Sequence, residues 1–427
     1  MVYFCAFSVG FREAWQYNNF MYTTIGYVLE QATGTSWEEN IQNKIFTPLG
    51  MKNSNFSVAE MQKAANAALP YESGKDGVKL LPYRSIESIG PAGSINSSVN
   101  DMTKWVQALL AGGQANGARL VSPGRFAELI TPQMALPAGG FPETPFATYA
   151  MGWMVDAYRG HTIVHHGGNI DGFSALVSFL PSDGIGIVVL TNANGSPAPT
   201  IIERRVIDEL LQLTNVDWSS RLKQQVAAIP DELPTAPPQI SNTTPSRPLD
   251  QFVGTYSHPA YGQVKVVKDE DGLRAKFHHI DEALSHWHYD VFVAKVKQNG
   301  ITTQVPVQFL SGMDGYVNKV QMVLEASVDP IVFTRVTSLE IAPTVIKALV
   351  GKYVAMGTPI TLSAKENTLM MEIPGQPPYT LQADQGLRLS VKELPDFYVH
   401  YELDEQFKVI SITLQQPGGS FEATPVK

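Results

Sequence analysis

Cysteine occurs once in the 427 residues, at Cys5, so no internal disulfide can staple the chain and cysteine usage marks no redox compartment. Basic residues are also short: 31 Lys and Arg stand against 40 Asp and Glu, a net charge of −9. That balance argues against nucleic acid and anionic membrane surfaces as partners. No run approaches the roughly 18 consecutive apolar residues that a bilayer span requires. The first ten residues, MVYFCAFSVG, are apolar but lack a basic segment and a small-residue cleavage site. They do not read as a signal peptide, and the compartment stays open. Charged residues make up 17% and hydrophobic ones 44%, the balance of a globular protein with a sizeable core. The length calls for about two or three domains.

The most informative stretch is 161–194. Two apolar, β-branched runs, Phe173–Leu180 and Ile185–Thr191, flank Pro181-Ser182-Asp183-Gly184. This is the pattern of two antiparallel strands around a tight turn. Neither run alternates with a polar face, so the hairpin is expected to be buried on both sides of a large sheet. His165-His166-Gly167-Gly168-Asn169 precedes it, followed by Gly172. Glycines at a strand start let a backbone or a substrate approach closely, which makes this strand the expected wall of a site.

Upstream, Tyr17-Asn18-Asn19 opens a helical pattern with Ile25, Val28, Leu29 and Ala32 on one inward face and Gly34 as the stop. Thr35 or Ser36 caps a second helix with Ile41, Ile45 and Phe46 inward. Residues 52–95 read as mostly loop. Residues 97–101 cap a third helix that ends at Gly112-Gly113, and Ser122 starts a short fourth. Residues 131–148 read as a Pro/Gly-rich loop, 149–158 and 162–165 as strands, and 199–213 as a closing helix. Helices followed by a mostly antiparallel sheet, with a helix returning, give an α+β layered domain over 1–228.

Residues 229–248 are proline-rich, the composition of a semi-rigid linker. Beyond them the helical period disappears and short alternating runs continue to the end. Val253-Gly254-Thr255-Tyr256 recurs as Val350-Gly351-Lys352-Tyr353. The repeat divides the remainder into two small all-β, barrel-like domains, 249–336 and 337–427.

Tyr17-x-Asn19 and His166-x-Gly168 stand in order with Gly26-Tyr27, 45–51 (IFTPLGM), Pro91-Ala92-Gly93-Ser94 and Leu190-Thr191-Asn192. Together these blocks resemble the serine β-lactamase-related hydrolases, a group with penicillin-binding proteins, AmpC-like β-lactamases, D-aminopeptidases and some esterases. The resemblance spans about residues 9–215 and implies a β-lactamase/transpeptidase-like fold. Residues 249–336, with Tyr261-Gly262 and 286–290 (HWHYD), resemble a β-domain appended to such hydrolases. The resemblance implies an acyl-enzyme mechanism on an amide or ester: a D-amino-acid peptide, a β-lactam or a small ester. It implies Tyr17 as proton relay, Asn19 as orienter of the substrate amide and His166 as electrostatic partner of Tyr17. Gly168 and the N–H of Asn169 would supply the substrate strand and an oxyanion donor. No cofactor is implied, and members are often exported.

The nucleophile of the group is the Ser of S-x-x-K, placed before the Y-x-N, and no lysine precedes Tyr17. The one such pattern, Ser220-Arg221-Leu222-Lys223, follows the His-x-Gly strand on a polar helix, so Ser220 is rejected as nucleophile. The expectation is an N-terminally truncated hydrolase whose S-x-x-K lies roughly 80–120 codons upstream. Loss of the terminal strands would leave an open apolar edge and favour association. The alternative is a pseudoenzyme that binds a peptide or peptidoglycan-like ligand without catalysis. His278, His279, His286, His288 and Asp290 resemble metal ligands, but strand histidines amid Trp287 and Tyr289 read as packing residues. His161 reads as a surface residue, and Cys5, in apolar surroundings, as an inert thiol.

Overall fold

The computed structural model describes residues 9–426 apart from 75–76, 138–139, 229, 231, 234–235, 299–300, 314, 325–327, 337–340, 367, 385–386, 405 and 407. Cys5 lies outside the described residues. The chain forms two compact units: Val9–Asp231 with 299–301, and the remainder.

The first unit is built on a six-stranded antiparallel meander: β1 (Met134–Leu136), β2 (Ala147–Tyr149), β3 (Met154–Tyr158), β4 (His161–Ile170), β5 (Phe173–Leu180) and β6 (Ile185–Thr191). Its helices include α1 (Asn19–Thr33), α2 (Trp37–Ile41), α3 (Val99–Leu110), α4 (Ala198–Leu210) and α5 (Trp218–Ala227), with further short helices between, among them Pro123–Leu129 capped by Ser122 as the sequence indicates. The β5–β6 hairpin forms as the sequence indicates, with Leu180 opposite Ile185 and Gly184 at φ 68° in the turn. Both faces are covered. Val106 and Leu109 of α3 pack with Trp153, Val155, Val164 and Phe179. On the other face, Ile207 of α4 and Trp218 of α5 pack with Tyr158, Ile163, Leu176 and Leu180.

Three local expectations change. Two short strands, β1 and β2, lie in the stretch read as a Pro/Gly-rich loop, because three-residue strands carry too little alternation to show. Ser36 caps helix α2 in a capping box with Glu39, and the helix is followed by a π-helical turn over Gln42–Phe46 that no residue pattern marks. On α1 only Gly26 is buried, while Ile25 is 64% and Val28 58% exposed. Gly26 faces the protein because a Cβ there would lie 2.2 Å from Pro91 Cγ, which joins two of the sequence blocks physically.

Among the described residues, β6 pairs only with β5, so its outer edge is open and carries no charge from Ile185 to Thr191. An uncharged edge invites strand addition. The chain is therefore expected to associate with rising concentration, which light scattering reads; a monomer at all concentrations would contradict this. No helix among the described residues is long and apolar enough to cross a membrane.

In the second unit, eight strands from Gly254–His258 to Ile331–Arg335 close on themselves, as do eight from Gly351–Ala355 to Gly419–Pro425. The Val-Gly-x-Tyr repeat opens each barrel. Tyr256 and Tyr353 are both buried, and each hydroxyl donates to the carbonyl four residues earlier, Phe252 and Leu349, at 2.8 Å. Part of the proline-rich segment is not free. Trp287 Nε1 donates to the Pro237 carbonyl at 2.8 Å, and Ser246 bonds Asp290 through N and Oγ at 2.8 and 2.7 Å. The histidines nearby have protein partners: His278 Nε2 with the Tyr261 carbonyl, His286 Nε2 with the Tyr289 carbonyl, and His288 Nδ1 with the Ile240 N–H. A bulge separates His286 from His288 in the strand.

Candidate active site

The start of α1 holds the first site residues. Asn18 is the N-cap, its Oδ1 accepting from Phe20 N at 2.9 Å and Met21 N at 3.3 Å. The cap leaves Tyr17 just outside the helix and Asn19 in its first turn with an exposed side chain. Tyr17 is half-exposed, and its ring lies 6.1 Å from the His166 ring and 6.2 Å from Trp15. Burial, with Tyr22 nearby, pushes the Tyr17 phenol up, so at neutral pH it keeps its proton. Serving as a base would require a cation close enough to bring it down.

His166 stands on β4, half-buried. Its Nδ1 lies 2.6 Å from the Gly167 carbonyl and its Nε2 lies 3.1 Å from the Tyr149 hydroxyl. Burial holds its pKa below the ordinary histidine value, with His165 contributing. His165, one residue earlier, points to the opposite face and pairs with Asp156 at 2.8 Å. The two histidines therefore have separate environments, and His166 is the one beside Tyr17.

β3 begins at Met154, opposite His165, so among the described residues 166–170 have β5 on one side and no strand on the other. A Cβ on Gly168 would meet nothing within 4 Å, so packing does not demand a glycine there. At Gly172 the opposite holds: φ is +90° and a Cβ would lie 2.1 Å from Pro70 Cβ. The Asn169 side chain is spent internally. Its Oδ1 accepts from Ser174 Oγ at 2.7 Å and Gly195 N at 2.8 Å, and its Nδ2 donates to Asn194 Oδ1 at 3.1 Å. The backbone of Asn169 lies in the strand segment that has no strand partner on its other side among the described residues. Gly168→Ala is thus expected to leave the melting temperature nearly unchanged while weakening ligand binding about tenfold or more by filling the groove. A calorimetric melt and a ligand titration check this; equal binding by the variant would remove Gly168 from the groove.

Ser220 is exposed, on the first turn of α5, and its hydroxyl donates to Asp217 Oδ2 at 2.6 Å. His161, read as a surface residue, is partly buried and pairs with Asp183 at 3.0 Å. Neither Tyr149 nor Tyr22 is among the site residues that the sequence singles out. Their hydroxyls lie 2.7 Å apart beside His166, yet Tyr149 sits on a three-residue strand whose register no spacing reveals.

This arrangement coincides with a family match: residues 9–212 fit the model described as Beta-lactamase. The chain carries a β-lactamase-family domain. Residues 238–335 match a domain of unknown function, DUF3471. The curated relatives include unguisins hydrolase ungD' of Aspergillus campestris, 26% identical over 74% of this chain and 62% of its own length. Unguisins hydrolase ungD of Aspergillus violaceofuscus is 28% identical over 70% of this chain and 59% of its own. The chain thus spans less than two thirds of these relatives. Among solved structures, an octameric penicillin-binding protein homologue from Pyrococcus abyssi aligns at 21% identity and TM-score 0.44, covering 76% of this chain and 66% of that one. The residues that match the family model form the β-lactamase/transpeptidase-like sheet and helices, and two closed barrels follow them in the chain.

Proposed function

We propose that the groove between Tyr17, His166 and the open side of β4 receives the acyl part of an amide or ester in a serine hydrolase that works through an acyl-enzyme. The substrate class is a D-amino-acid peptide, a β-lactam or a small ester. Tyr17 relays the proton, Asn19 orients the substrate amide, and His166 is the polar partner of Tyr17. The Asn169 N–H beside Gly168 donates to the oxyanion. The observation that carries the reading is the meeting of the Tyr17 and His166 rings at 6.1 Å beside a strand segment open on one side. The curated relatives named as hydrolases of unguisins support a hydrolytic role.

An S-x-x-K ahead of Tyr17 is not among these 427 residues, and the Ser220 hydroxyl is engaged by Asp217. This polypeptide alone is therefore expected to turn over nitrocefin and p-nitrophenyl acetate no faster than background. Turnover that disappears in Ser220→Ala would make that serine the nucleophile after all. A second reading, a non-catalytic binder of peptide or peptidoglycan-like ligands, is favoured by the unfilled space beside Gly168. A calorimetric titration showing no binding of such peptides would count against it.

A further inference from the structure

We propose that Tyr149 is a positioning residue for His166: backed by Tyr22, its hydroxyl holds the imidazole neutral with the proton on Nδ1. The Gly167 carbonyl can only accept, so Nδ1, 2.6 Å away, must carry a hydrogen. In the neutral ring Nε2 is then an acceptor, and the Tyr149 hydroxyl at 3.1 Å donates to it. The Tyr149 oxygen is left to accept, and the Tyr22 hydroxyl at 2.7 Å is its donor. One directional chain results, running from Tyr22 through Tyr149 and His166 to the Gly167 carbonyl.

Packing holds the chain in place. The Tyr149 and His166 rings meet edge-on at 5.9 Å and 74°, and Trp15 packs on Tyr149 at 5.7 Å. Tyr22 comes from α1, Tyr149 from β2 and His166 from β4, so the chain ties the helix that presents Tyr17 to the strand that presents the open edge. The titratable groups around the ring are Tyr17, Tyr149 with Tyr22 behind it, and His165 next along the strand. Burial pushes His166 down and Tyr149 up, so neither a cationic ring nor a phenolate is favoured. What faces Tyr17 is an uncharged ring in one fixed orientation. Recognition at this strand then depends on shape and backbone groups and not on a cation.

The functional meaning of this lock rests on the substrate reading above, but the tautomer itself can be measured without substrate. Long-range 1H–15N spectra of the full chain with 15N-labelled histidine report it, with His166→Gln identifying the ring. The wild-type ring is expected at pH 7 as the Nδ1–H form. In Tyr149→Phe the Gly167 carbonyl still holds the hydrogen on Nδ1, but the titration midpoint rises by about half to one pH unit, as loss of one hydrogen bond to the neutral form requires. Tyr22→Phe shifts the ring the same way by less, and keeps the test open should Tyr149→Phe not fold. An Nε2–H ring in the wild type, or an unchanged titration midpoint in the folded variants, would overturn the proposal. Failure of the substrate reading would instead appear as absent ligand binding with the tautomer intact.

Discussion

Arg335→Met is expected to destabilise the first barrel by about 3–5 kcal/mol, read as a lower urea midpoint for the transition of that barrel. The guanidinium donates from Nε to the Val317 carbonyl at 2.7 Å, from Nη1 to the Val253 carbonyl at 2.7 Å, and from Nη2 to the Gln251 carbonyl at 2.6 Å and the Tyr256 hydroxyl at 2.7 Å. It also lies 4.9 Å from the centre of the Tyr256 ring. Methionine keeps the apolar stem but leaves three carbonyls without these donors, and each unmet buried acceptor costs about 1–3 kcal/mol. The same contact explains the glycine of the first repeat: a Cβ on Gly254 would lie 2.6 Å from Arg335 Nη1. A loss below about 1 kcal/mol would mean that water replaces the guanidinium and that Arg335 is not the clasp of this barrel.

Asp101→Ala is expected to cost the first unit about 2–4 kcal/mol. Asp101 is fully buried at the start of α3, where its Oδ2 accepts from Asn53 N at 2.6 Å and Ser54 Oγ at 3.0 Å. Its Oδ1 meets Lys104 Nζ at 2.9 Å, and that lysine also donates to the Gly50 carbonyl. Burial pushes the carboxyl up, but Lys104, the Asn53 amide and the Ser54 hydroxyl together outweigh it and hold the pKa below the ordinary value. A depressed folded-state value means that the contribution is fully present above the unfolded pKa and is lost as pH falls through the folded one. Acid destabilisation from this group therefore begins below about pH 4. Asp101→Asn, melted across pH 2–7, should show a flatter acid limb than the wild type. Parallel limbs would assign the acid sensitivity to other carboxylates.

The parts of the fold legible in the sequence are those in which residue type and local structure are tied by a single physical cause. Pro181 to Gly184 demand a turn, so the β5–β6 hairpin could be read directly. Val-Gly-x-Tyr marks both barrels because each needs a buried tyrosine whose hydroxyl closes on the residue four places back. Ordered family blocks singled out Tyr17, Asn19 and His166, and the rings of Tyr17 and His166 lie together in the fold.

Other features depend on distant partners. The apolar spacing on α1 indicated an inward face, yet Ile25 and Val28 are exposed because no described residue packs over them, whereas Gly26 is buried against Pro91. Tyr149 acts on His166 only through a strand register set by β2, β3 and β4, which composition cannot encode. Proline content suggested a linker before the first barrel, but Pro237 and Ser246 are bonded to Trp287 and Asp290. Proline limits backbone freedom without saying whether a neighbouring surface will hold the segment.

An acyl substrate is proposed to lie along the open edge of β4 beside Tyr17 and His166. The direct measurement is an amide chemical-shift titration of the full chain with an unlabelled D-amino-acid dipeptide. Saturable shifts are expected at the backbone amides of Gly167, Gly168 and Asn169 and at the His166 ring, all weakened by Gly168→Ala. Shifts confined to other surfaces, or none up to millimolar peptide, would contradict that placement.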